Sequence, residues 1–350
     1  MTTKIHTINV GHGDSLIIEI NNNVKNYYIV IDCHNPNSQG ESPTLTFLKQ
    51  KGITELDFIF LTHADRDHYS GMYQLLDYYS KAGRKIGDFV LPTLDYRYIN
   101  PITSKRKEVE INKLYSLIAE LVEADKLTLQ QAGFNTIYVE ENGIKIISLT
   151  PFDKNFNLYA KQARNRSLAI NAGKKPPNVD SNLISIILLI QLDNSNSLLC
   201  SDASINMIEG GLNKWIGNSK EERRSIKFNF IKVSHHGSRF NHSIALFEHF
   251  TDSNISNAAI SCGAEWPHEE VVSSLNRFGI NTYATNKTGC LRDVKIIKDS
   301  DEDLPFNVKE GLDNFCVYEF VDKPFHGDIS FIDDVSSQFV ETQFKLPAIK

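Results

Sequence analysis

Leu61-Thr62-His63-Ala64-Asp65-Arg66-Asp67-His68 follows directly on the apolar run Phe58-Ile59-Phe60. That run reads as a buried strand. Side chains alternate in an extended segment, so positions 63, 65 and 67 share one side. His68 joins them where the chain turns into Tyr69-Ser70-Gly71-Met72 and a helix. Burying two carboxylates without compensation is costly, and a divalent cation removes that cost. Four metal-ligand side chains packed this tightly at a strand end therefore point to a metal centre rather than to a solvated acidic loop.

Working outward, three further stretches end strands with the same kinds of residue. Leu198-Leu199-Cys200 runs into Ser201-Asp202-Ala203 with a helix after it. Phe228 to Val233 delivers Ser234-His235-His236-Gly237-Ser238. On an extended chain two adjacent histidines face opposite sides, so at most one ligates easily. The other orients a ligand or touches the substrate. Upstream, Lys4 to Val10 alternates like a strand and enters Gly11-His12-Gly13-Asp14-Ser15, where two glycines permit a tight backbone and His12 reads as a turn residue. Leu16 to Ile20 and Tyr27 to Asp32 then read as a hairpin around Asn21-Asn22-Asn23.

These motifs resemble the metallo-β-lactamase superfamily, with Asp65 where its His-x-His-x-Asp-His signature has a second histidine. In that variant they resemble the soluble hydrolase domain of the competence protein ComEC and its stand-alone relatives. The similarity spans about Asn9 to Asn286, as islands within unfamiliar sequence. It includes Asn182 and Ser185 of an Asn-x-x-Ser pattern and Asp32 as the aspartate that supports a ligand. His12 stands where the relatives have glutamine, and Ser201 where they have glycine. The family's His-Pro pair is here Trp266-Pro267, with His268 one place later.

The resemblance implies an α/β, four-layer αββα sandwich, and strands alternating with helices in two like halves agree with it. It implies one or two divalent ions, Zn²⁺ or Mn²⁺, held by His63, Asp65, Asp67, His68, Asp202 and His235, with Asp202 bridging. Asp67, His236 and His268 are the expected catalytic residues. The first ion lacks a third terminal ligand, since no histidine lies between His68 and His235. Water, Asn182 or a more distant group would fill that place, and an oxygen-rich site makes Mn²⁺ plausible beside Zn²⁺. The expected activity is that of a metal-dependent phosphodiesterase, a nuclease acting on DNA, with partner proteins of a defence operon in view. A small-molecule phosphodiesterase, a lactonase-type hydrolase and a catalytically weak scaffold are the alternatives.

Composition sets the remaining bounds. The chain has 350 residues, 41% of them hydrophobic, enough for a substantial core. We expect a hydrolase domain over 1–325 and a C-terminal extension over 326–350. Five scattered cysteines without a CxxC pair argue for a reducing compartment. The N-terminus lacks a signal-peptide core, and the longest apolar run, Leu183 to Ile190, is too short to span a bilayer. A cytoplasmic protein without membrane association is the expectation. The net charge of −6 gives no general basic face, so any nucleic-acid site must be local. One local candidate exists. Asp153 to Asp180 carries Lys154, Lys161, Arg164, Arg166, Lys174 and Lys175 against two aspartates, without convincing periodicity. It reads as a long loop or basic insertion. In that reading Arg164, Arg166, Lys174, Lys175 and Asn182 would grip substrate, and Phe156 and Tyr159 would stack on unpaired bases. Lys105 to Lys126, by contrast, has the spacing of an amphipathic helix, and Phe315 to Val321 that of a strand.

Overall fold

A computed structural model describes residues 2–22, 24–37, 40–94, 105–192, 195–217, 226–243, 256–263 and 267–285, together with four short strands beyond them. The first half begins with a meander of β1 (Thr2–Thr7), β2 (Leu16–Asn21) and β3 (Asn26–Ile31). From β3 the chain crosses over in parallel to β4 (Glu55–Phe60), β5 (Lys85–Leu91) and β6 (Thr128–Gln131). The crossovers carry α1 (Pro43–Gln50), the single turn α2 (Arg66–Tyr69), α3 (Met72–Tyr79) and α4 (Lys105–Glu123). Local chemistry sets these helices. Ser42 caps α1 by accepting from the Leu45 N–H, and Pro43 follows at the first helical position.

The second half repeats the plan. The strands β7 (Thr136–Glu141), β8 (Ile144–Ser148), β9 (Leu188–Leu192) and β10 (Ser195–Leu199) are antiparallel. Next, β11 (Phe230–Lys232), β12 (Asn257–Ile260) and β13 (Asn281–Ala284) add in parallel. Helices α5 (Asp153–Asn171), α6 (Ile205–Ile216) and α7 (Glu269–Arg277) lie between strands of this half. In the backbone, the strand Ile329–Asp334 pairs antiparallel with β1 and extends the first sheet beyond it.

Three apolar clusters define four layers. Ile18, Ile29, Phe58 and Phe60 of the first sheet meet Ile146, Leu188, Ile190 and Phe230 of the second, which forms the core between the sheets. Ile17, Val30, Ile59 and Phe89 face the other way, onto α1, α3 and α4. Ile147, Leu189, Leu198 and Ile231 likewise face α6 and α7. Both faces of each sheet are therefore covered, which is why β9 reads as a nearly unbroken apolar run. The architecture is the αββα sandwich.

Two segments depart from the sequence reading. The stretch expected to be a loop is helical over Asp153–Asn171, and only Tyr159 and Ala163 of it are buried. A helix that buries one residue per turn over a single turn leaves almost no periodic signal. Tyr159 is fully buried and so stacks on no base. The strand expected over Asn182 to Leu192 begins instead as a 3₁₀ turn, Ser181–Ile184, before β9. Trp266 and the strand expected at Phe315 to Val321 lie outside the described residues.

Candidate metal centre

The functional side chains gather beyond the carboxyl ends of β3, β4, β10 and β11, where crossovers in open α/β sheets leave a crevice. Backbone hydrogen bonds tie the loops there to one another. Asp14 N donates to Asp67 O, Cys33 N to His68 O, and His235 N to Ser201 O. The ligand-bearing turn is thus fixed by loops of the first sheet, and the histidine turn by the strand end that carries Asp202, before any ion is considered.

Asp202 is the hub. Its Oδ2 lies 3.9 Å from His63 Nε2, 3.5 Å from His68 Nε2, 3.8 Å from His235 Nε2 and 3.8 Å from His236 Nε2. Asp67 Oδ2 stands 3.3 Å from His236 Nε2 and 3.9 Å from His68 Nε2, and Asp65 Oδ2 stands 3.6 Å from His63 Nε2. Most of these separations exceed a hydrogen bond. They match donors sharing an ion, since bonds of about 2.1 Å place tetrahedral neighbours about 3.4 Å apart. His63 Nε2, His68 Nε2, His236 Nε2 and Asp202 Oδ1 are all buried and have no hydrogen-bonding partner among the described residues. Buried polar atoms without partners are rare and costly, so the orphaned set fits a divalent cation.

Supporting contacts orient the rings. Asp32 accepts from His68 Nδ1 at 2.7 Å and from the Thr62 N–H and hydroxyl at 2.8 and 2.7 Å. His236 Nδ1 donates to Ser261 O at 2.9 Å. In both rings Nε2 is left as the lone pair, the tautomer a metal requires. Beneath His236 lies a buried ion pair in which Lys232 Nζ donates to Asp14 Oδ2 at 2.9 Å.

The electrostatics favour ionised ligands. Burial alone would raise the Asp202 carboxyl, but His236, His68 and His63 overturn that and hold it well below the usual range. Asp67 follows the same balance against His236 and His68, and Asp65 against His63 and Ser181. The carboxylates thus stay in the form that binds cations.

Backbone strain marks the same place. Asp32, Ser201, His235 and His236 have φ of 56°, 47°, 48° and 53°. Left-handed non-glycine residues cost free energy and persist where the surroundings fix them. They correct one expectation: His235 and His236 occupy a left-handed turn, not an extended chain. It is accordingly His236 whose nitrogen is sealed among the carboxylates, while the His235 side chain is 35% exposed at the margin.

The other expected residues spread more widely. Asp65 and Asp67 are partly exposed and mark the open side of the centre. His268 caps α7, with its N–H on Gly237 O and its Nδ1 accepting from Arg239 N, and it is absent from the converging groups found among the described residues. The Asn182 Oδ1, in the turn Ser181–Ile184, is buried without a partner among the described residues. Arg164, Lys174 and Lys175 are exposed, whereas Arg166 is half-buried and donates to Pro177 O at 2.7 Å. The sequence reading did not anticipate Lys232. Its place in an apolar strand was the available signal. Among the described residues no helix is long and apolar enough to cross a membrane.

No family model matches this chain. Over 307 residues it is 22% identical to ComE operon protein 3 of Bacillus subtilis (strain 168). That alignment takes in 83% of this chain and 32% of the other, so the chain spans about a third of the length of the curated relative it matches. Among solved structures it is similar to the metallo-β-lactamase fold protein YhfI from Bacillus subtilis, with a TM-score of 0.44 and 10% identity over 81% of this chain and 95% of that one. It is also similar to Zn²⁺-bound PqqB from Methylobacterium extorquens, with a TM-score of 0.40 and 9% identity over 81% and 98% of the two chains. In its layered architecture and in the order of its ligand motifs, the chain resembles the metallo-β-lactamase superfamily.

Proposed function

We propose that this chain is a metal-dependent phosphodiesterase whose substrate is DNA. One observation carries the metal-dependent part: a single carboxylate oxygen, Asp202 Oδ2, faces four histidine Nε2 atoms at 3.5 to 3.9 Å. His63, Asp65 and Asp202 would hold one divalent ion, and Asp67, His68, His236 and Asp202 a second. Bound there, such ions supply a water of lowered pKa and clamp the oxygens of an in-line phosphoryl displacement. The chain's own residues do the rest. Asp32 and Ser261 fix the ring tautomers, and the partly exposed Asp65 and Asp67 leave one side open to a substrate.

DNA as substrate rests on α5 and the loop after it. In sequence, their exposed Arg164, Lys174 and Lys175 precede Ser181, which helps hold the Asp65 carboxyl below its ordinary value. Cations in that position offset the acidic balance of the whole chain near the scissile phosphate. The test is cleavage of single- and double-stranded DNA and of a small chromogenic phosphodiester by stripped protein reloaded with Mn²⁺, Zn²⁺ or Mg²⁺. Cleavage of DNA by wild type and not by Asp67→Ala is expected. Turnover of the small diester without any DNA cleavage would contradict the substrate. Inertness toward both substrates with every metal would contradict the activity.

A further inference from the structure

Resting on that reading of the centre, we propose that His12 is a further protein ligand of the ion held by Asp67 and His236. The residue belongs to the loop between β1 and β2, apart from the ligand turn in sequence. The fold nevertheless brings its Nε2 to 3.8 Å from Asp67 Oδ2, the same oxygen that His236 Nε2 meets at 3.3 Å. The ligand atoms of His12, Asp67 and His236 all lie within 4.8 Å of one another. Both measured separations bracket the roughly 3.4 Å expected between tetrahedral donors around a zinc-sized ion.

Two independent features aim this group at a cation. His236 Nδ1 is committed to Ser261 O, and its Nε2 is buried and without a hydrogen-bonding partner among the described residues, so a lone pair points toward Asp67 and His12. The His12 ring is also held in place. Its centroid lies 4.4 Å from that of His236 at 46°. Gly13, at φ +151°, sits so close to the ligand turn that a Cβ there would come within 2.5 Å of Asp67 O. On the other side a Cβ on Gly263 would come within 3.0 Å of the His12 Cβ. Two glycines thus let the loop wedge between the Asp67 turn and the strand end carrying Ser261. The side chain remains 53% exposed, which places it on the open side of the centre. A neutral imidazole there would give that ion three nitrogen donors beside the carboxylates of Asp67 and Asp202, which favours Zn²⁺ at that position over Mn²⁺.

The experiment uses the full chain, stripped with chelator and titrated with Zn²⁺ against a competing chelator, and separately with Co²⁺ while its visible bands are recorded. Wild type is compared with His12→Gln, His12→Ala and Asp67→Ala. Both His12 variants should bind one ion at least about tenfold more weakly, with altered Co²⁺ bands. Their metal-free melting temperatures should match wild type, since the ring is exposed. Asp67→Ala should lose that ion outright. Wild-type affinity and Co²⁺ bands in both His12 variants, with the ion lost in Asp67→Ala, would overturn the role of His12 and leave the centre standing. Binding in wild type no tighter than in Asp67→Ala would overturn the centre itself, and His12 with it.

Discussion

Lys232 Nζ and Asp14 Oδ2 form an ion pair at 2.9 Å in which both side chains are 1% exposed, joining the second sheet to the first loop of the chain. Burial alone would raise the Asp14 carboxyl, but Lys232 and then His236 hold it below its ordinary value. Removing one member of such a pair strands the other. Lys232→Ala should therefore cost about 3–5 kcal/mol in urea unfolding of the metal-free protein, and Lys232→Met with Asp14→Leu should recover most of it. A loss under about 1 kcal/mol for Lys232→Ala would show that the pair is solvated in solution.

Asp32 accepts hydrogen bonds from His68 Nδ1 and from the Thr62 N–H and hydroxyl, so in the proposed centre it would orient a ligand. Asp32→Asn should leave the fold intact and weaken metal binding by about 10- to 100-fold in chelator competition. Unchanged affinity would mean that the ring of His68 is oriented by packing alone.

Much of this centre was legible in the chain. His63, Asp65, Asp67 and His68 stand out because carboxylates rarely crowd the end of an apolar strand, and Asp202 because it closes another. What escaped was long-range or non-periodic. Lys232 follows Phe230 and Ile231 in a strand, and nothing local tells that its partner is Asp14, 218 positions away. The ligand rank of His235 and His236 depends on left-handed φ values that a pattern of alternation cannot express. The left-handed backbone of Ser201 before Asp202, at φ 47°, is likewise visible only in three dimensions. Helix α5 was read as a loop because its single buried turn, Tyr159 to Ala163, is surrounded by exposed positions.

The exposed cations around α5 carry the proposal about DNA. Arg164→Ala, Lys174→Ala and Lys175→Ala combined should flatten the salt dependence of DNA binding by about 0.7–0.9 in slope for each phosphate left without its cation. Arg166→Ala alone should change it little, because that guanidinium already serves Pro177 O. Hydrolysis of a small diester should persist in the triple variant. A salt slope equal to wild type would reduce the helix to a solvated face.

Buried thiols give an independent check on the sandwich. Burial pushes the Cys33 thiol up to about 11 and the Cys200 thiol up to about 12. Thiolate, the reactive form, is therefore scarce at pH 8. Peptide mapping after brief alkylation of the native protein should find both residues unmodified, and both labelled after unfolding. Rapid native labelling of either would contradict the packing around it.

The proposed metal centre would depend on Asp202 as its shared carboxylate. The most direct test is hydrolysis of a small chromogenic phosphodiester by wild type and Asp202→Ala, each stripped of metal and then reloaded, with folding verified by circular dichroism. Activity should vanish in stripped wild type, return on reloading, and stay at or below about 1% in the reloaded variant, a loss of roughly 2.7 kcal/mol or more in transition-state stabilisation. Full turnover by stripped wild type, or by reloaded Asp202→Ala, would contradict it.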